Sequence, residues 1–94
     1  MMSSIPASYK DLDRDELDRA IIRAAIMAEL DAINMYKEMA QLARNKDLRK
    51  ILHDIAREEK THVGEFQALL IHLDEEQFNE LKVGQREVDE KLDM

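Results

Sequence analysis

The sequence contains no cysteine and no tryptophan, and has one proline and two glycines among 94 residues. Without thiols it can form no disulfide, offer no thiol nucleophile and build no thiolate metal site, so oxygen and nitrogen must hold any metal. The same absence fits an intracellular protein. With so few helix breakers, Ala, Leu, Ile, Glu, Lys, Arg and Met dominate, which favours helix nearly throughout and predicts an all-α fold. No uncharged apolar run approaches about 20 residues, so no membrane span is expected. The opening MMSSIPASYKD lacks the basic and apolar regions of a signal peptide. Positive charge is also in short supply. Fourteen Lys and Arg stand against 21 Asp and Glu, a formal charge of -7, which disfavours nucleic acid and anionic membrane as partners and favours cations. A chain this short makes one small domain, a size that often leans on a metal or a second subunit for stability.

Residues 1–13 hold the only proline and show no helical period, and they are expected to form a flexible arm ahead of a domain over 14–94. The first helix is expected to start near Asp13 to Asp15, where acidic residues suit the positive helix end, and to run to Ala43 or Arg44. At about 100° per residue, Ile22, Ala25, Ala32, Ile33, Tyr36, Ala40 and Ala43 share a face centred on Glu29. A carboxylate is therefore set into an apolar line. Asn45-Lys46-Asp47 interrupts the period with turn and cap chemistry, predicting reversal into an antiparallel hairpin whose second helix runs from Asp47 or Leu48 to Leu73. Asp74 then reads as the N-cap of a third helix reaching about Leu92, with Gln77 placed to close a capping box. Phe78, Leu81, Val88 and Leu92 give that helix a thin apolar face, and Gly84 weakens it, so docking is expected to stabilise it.

In the second helix, Leu48, Leu52, Ile55, Phe66, Leu69 and Leu73 mark the expected buried stripe. Midway along it stand Glu59 and His62, three apart and on one face. Burying an unpaired carboxylate costs several kcal/mol, and a bound cation is the most economical compensation. Glu29 lies about 16 residues before the turn and Glu59 about 13 after it, so a hairpin brings them to similar heights at about 1.5 Å per residue. Glu29, Glu59 and His62 thus form a candidate metal site. The alternative is a buried polar pair that sets helix register in a non-catalytic scaffold. One hairpin supplies half of a two-metal site, and a two-fold dimer would complete it within a four-helix bundle. Tyr36, two turns beyond Glu29, is a core residue or an outer neighbour of the metal. His53 and His72 point away from the stripe. Leu17, Ala20, Ala24, Met27, Ala28 and Met35 widen the apolar arc of the first helix and suggest further subunit contacts.

These residues bring out a resemblance. AELDAINMY with Glu29 and Tyr36, IAREEKTHVGEF with Glu59 and His62, and a third helix after the hairpin resemble the encapsulated ferritins, from about Asp13 to Leu92. The resemblance implies a ferroxidase that oxidises Fe(II) with dioxygen at a di-iron site across a homodimer, two irons per interface. It implies a ring of such dimers, taken as a decamer, carried as cargo inside an encapsulin shell in the cytoplasm for iron storage. Glu29 then matches the terminal carboxylate ligand, Glu59 the bridging carboxylate, His62 the nitrogen ligand and Tyr36 the nearby tyrosine. The acidic access site of such proteins would fall on Ala28, Asp31 and Met35, where Asp31 alone can act, weakly. No shell-addressing tail is evident before Met94, so either the sequence stops short of it or the domain is fused to the shell protein. A rubrerythrin-like peroxidase or a di-manganese redox protein is the alternative within the same chemistry, and the ligand types suit either metal.

Overall fold

A computed structural model describes residues 13–94; the expected N-terminal arm lies outside them, apart from Asp13. Three helices follow one another: α1 (Arg14–Leu42), α2 (Lys46–Leu73) and α3 (Glu75–Leu92). Asp13 caps α1, its Oδ1 accepting from Glu16 N at 2.8 Å, with Asp15 and Glu16 in the first turn. Backbone N–H groups left unpaired at a helix start are satisfied in this way. Asn45, in extended conformation, caps α2 by accepting from Leu48 N at 2.9 Å. Its cap places the start of α2 at Lys46, slightly ahead of the expected Asp47. Arg49 Nη2 donates to Ala43 O at 3.0 Å across the turn.

The two long helices pack antiparallel, and the buried residues of α1 and α2 are Ala20, Ile22 and Ala40 on one and Leu52, Ala56 and Leu70 on the other. On α1, Ile22 and Ala40 follow expectation, while Ala20, expected on the flank for subunit contacts, is buried as well. The line on α2 does not follow it. Leu48, Leu69 and Leu73 of the expected stripe are 51%, 45% and 43% exposed, whereas Ala56 and Leu70, outside that stripe, are buried. The seam against α1 steps in fours and threes through Leu52, Ala56, Glu59, Val63, Phe66 and Leu70. The apolar arc of α2 is wide enough for two such seams, and α1 covers the one where alanine lets the helices approach. A second seam through Ile51, Ile55, His62 and Leu69 is left at its edge.

α3 departs from expectation further. None of its residues is buried, and Phe78, Leu81, Val88 and Leu92 stay 40% to 64% exposed. It touches α2 near their shared end and makes no packed contact with α1 among the described residues. The molecule is a slab of 47 × 43 × 18 Å, because α3 leaves the hairpin rather than folding back on it. The stem of Lys82 lies along Phe78, its ammonium 4.1 Å from the ring centroid, and this is partial cover only.

One residue, Asp74, separates α2 from α3, with φ -135 and ψ 92. Its Oδ1 accepts from Gln77 N at 3.0 Å, the forward half of the expected capping box. The backbone N–H of Gln77, and after it the Arg23 guanidinium, hold the Asp74 carboxyl below its ordinary value despite opposing desolvation. A carboxyl lowered in the folded state contributes stability that is complete above its unfolded pKa and disappears as pH falls through the folded one. The first turn of α3 should therefore fray as pH drops below about 4 while the hairpin core persists. Amide exchange resolved by residue checks this: Gln77 and Phe78 should lose protection before Leu52 and Ala56.

Candidate metal centre

Glu29 sits in the middle of α1 and Glu59 and His62 in the middle of α2, each on a stretch of unbroken helix that fixes its backbone. The antiparallel register brings one ligand-type atom from each to within 4.8 Å of the others. His62 Nδ1 lies 3.3 Å from Glu59 Oε2 and 3.4 Å from Glu29 Oε2. The side chains of Glu29 and Glu59 are 20% and 18% exposed, and that of His62 46%. The expected convergence is present, with the imidazole turned toward the edge of the hairpin.

A ring nitrogen carries at most one proton, so His62 Nδ1 can donate to one carboxylate only. Its hydrogen bond is to Glu59. Glu29 Oε2 is left buried without a hydrogen-bond partner, a costly condition for a carboxylate oxygen. The separations are longer than good N–H···O bonds of about 2.7–3.2 Å. They are also compatible with two atoms sharing one small divalent ion, since bonds of about 2.0–2.2 Å at roughly tetrahedral angles put ligands about 3.4 Å apart. Two oxygens and one imidazole nitrogen form a donor set suited to first-row divalent metals.

His62 lies about 60° around α2 from Glu59, and Ile51 and Leu69 about 80° in the same sense; Met35 and Met39 lie about 80–120° from Glu29 on α1, again in that sense. In an antiparallel pair, equal senses of rotation lead to the same side of the layer. Ile51, Leu69, Met35 and Met39 are 53%, 45%, 47% and 38% exposed, so one face of the hairpin is an open apolar sheet of side chains with the metal-type cluster at its middle. The sequence places Met35 on the flank of the first helix but Leu69 in the expected buried stripe of the second; only the packing of α1 against α2 shows which side stays open.

The remaining candidates are apart from the cluster. Tyr36 is partly buried two turns beyond Glu29. Asp31 is partly buried on the far side of α1, beside Met27, Leu30 and Asn34 in a shallow concavity. His53 and His72 are exposed, as expected. Among the described residues no other three His, Asp or Glu side chains come together in this way.

The Rubrerythrin family pattern matches residues 20–92. A ferritin-like–encapsulin shell fusion protein of Pyrococcus furiosus is 57% identical over 81 residues, 86% of this chain and 23% of that protein. An encapsulin nanocompartment cargo protein of Myxococcus xanthus is 44% identical over 75 residues, 80% of this chain and 55% of its own length. The chain thus spans between about a quarter and about half of these relatives. A crystal structure of the encapsulated ferritin domain from Pyrococcus furiosus superposes with a TM-score of 0.79 at 52% identity, covering 93% of this chain and 92% of that one. The family match, the sequence identity and the superposition together show that the chain belongs to the rubrerythrin family of ferritin-like proteins, and within it to the encapsulated ferritins.

Proposed function

We propose that the chain is a ferroxidase: it binds Fe(II) at Glu29, Glu59 and His62 and passes its electrons to dioxygen. The observation that carries this reading is the buried, unpartnered Oε2 of Glu29 facing Glu59 Oε2 and His62 Nδ1. A polar network built only to set register would satisfy that oxygen internally. The family is one that binds iron, which favours Fe(II) as the ion.

The site is half of a larger one. Two copies meeting through the open apolar face by a two-fold axis would gather four carboxylates and two imidazoles, and two divalent ions would balance the carboxylate charge. In that arrangement Glu29 and Glu59 of both copies would hold the irons through their carboxylates. His62 supplies nitrogen, and Tyr36 stands just outside. Each Fe(II) gives up one electron, so a pair held together delivers two to one dioxygen. Water is kept out by the apolar side chains of both copies. The exposed face of α3 supports further association of dimers, a decameric ring in this reading. The encapsulin names of the relatives support the lumen of such a shell as its place, with the shell storing the oxidised iron.

Three outcomes test this. Without metal, a dimer would bring four carboxylates together unneutralised, so Fe(II) should shift the chain from monomer or dimer to a larger species. Light scattering measures the mass, and equal masses with and without Fe(II) would count against the shared site. Glu29→Ala, Glu59→Ala and His62→Ala should each slow Fe(II) oxidation by at least about ten-fold with helicity retained, while His72→Ala keeps the parent rate. A His62→Ala protein as fast as its parent would remove the proposed centre, and faster turnover with hydrogen peroxide than with dioxygen would favour a peroxidase instead. Asp31, a single carboxylate, attracts ions weakly across about 8–10 Å of screening solvent. Asp31→Ala should leave the stopped-flow rate within about two-fold, a barrier change below about 0.5 kcal/mol; a ten-fold loss would make it the gate for iron.

A further inference from the structure

The link between α2 and α3 is a single non-helical residue, so rotation about the Asp74 backbone alone would swing the whole of α3. Apolar packing does little to prevent this, since α3 has no buried residue and, among the described residues, packs only against the end of α2. Polar contacts from α1 grip the link on both sides. Arg19 Nη1 donates to Leu73 O at 3.4 Å, taking one of the carbonyls that a helix end leaves free. Arg23 Nη2 reaches Asp74 Oδ2 at 3.4 Å, while Oδ1 of the same carboxylate caps α3.

The two arginines are four residues apart and share a face of α1. A common carboxylate aligns them: Glu16 Oε2 lies 3.0 Å from Arg19 Nη2 and Glu16 Oε1 lies 3.2 Å from Arg23 Nη1. Holding both guanidiniums on one anion removes much of the rotamer freedom they would otherwise lose in gripping the link. Asp74 is the most enclosed member, with its side chain 16% exposed.

We infer that Glu16, Arg19 and Arg23 form a clamp that fixes the angle at which α3 leaves the hairpin. The Asp74 cap makes α3 helical; the clamp gives it direction. Phe78, Leu81 and Val88 ride on α3, so the clamp also decides where that apolar face points.

The chain has no native cysteine, which allows spin labels to be placed at two introduced cysteines, Lys37→Cys on α1 and Glu87→Cys on α3. Pulsed electron–electron resonance on full-length chain, diluted with unlabelled chain to isolate distances within one copy, reads the angle. The parent should give one narrow distance. Arg19→Gln with Arg23→Gln should broaden it roughly two-fold or shift it by several ångström. Asp74→Asn should do the same with circular dichroism unchanged, since asparagine caps as well as aspartate but cannot pair with arginine. A distribution unchanged in both variants overturns the clamp. So does a change confined to Asp74→Ala, which would show that the cap alone sets the angle.

Discussion

Two carboxylates and an imidazole held within 4.8 Å of one another, in the middle of two packed helices, are the constraint around which this chain is arranged. Like charges that close repel, and Glu29 Oε2 has lost water without gaining a hydrogen bond. The hairpin supplies the rigidity that keeps them together regardless. Both helices run unbroken through the site, and small residues such as Ala40 and Ala56 let them approach closely enough for side chains of ordinary length to meet. What is unfavourable in the isolated chain is what a divalent ion would relieve.

The incompleteness of the core belongs to the same design. A two-helix layer has two faces, and α1 and α2 each bury one seam while leaving another open. That open seam surrounds His62, so the surface proposed to meet a second copy and the cluster proposed to hold metal coincide. Metal and partner would then stabilise each other: each supplies what the other requires, neutralised charge on one side and excluded water on the other. A small cysteine-free domain has few other means of support.

α3 is held by different physics. Among the described residues its apolar face is only partly covered, and its attachment rests on a helix cap, an ion pair and a hydrogen bond to Leu73 O at the rim. Contacts of this kind are individually weak and screened by salt, yet three of them around a one-residue link restrict a rotation rather than resist an unfolding.

Much of this was legible in the residues. Asp13, Asn45 and Asp74 are capping residues followed by helix-forming stretches, and each does cap a helix; capping is local chemistry, so spacing suffices to find it. The convergence of Glu29, Glu59 and His62 was legible too, because a short turn fixes the register of an antiparallel hairpin. Periodicity could not decide which of two overlapping apolar seams on α2 would meet α1, since both have the same rhythm. Alanine at position 56 and leucine at 70 settle that by shape, a property of two surfaces in contact. Nor could it show that α3 leaves the hairpin, because its direction depends on dihedral angles at Asp74 and on Arg19 and Arg23 more than fifty residues earlier. Local pattern determined the helices and the convergence of two glutamates and a histidine; packing between distant segments decided which face stays open and where α3 points.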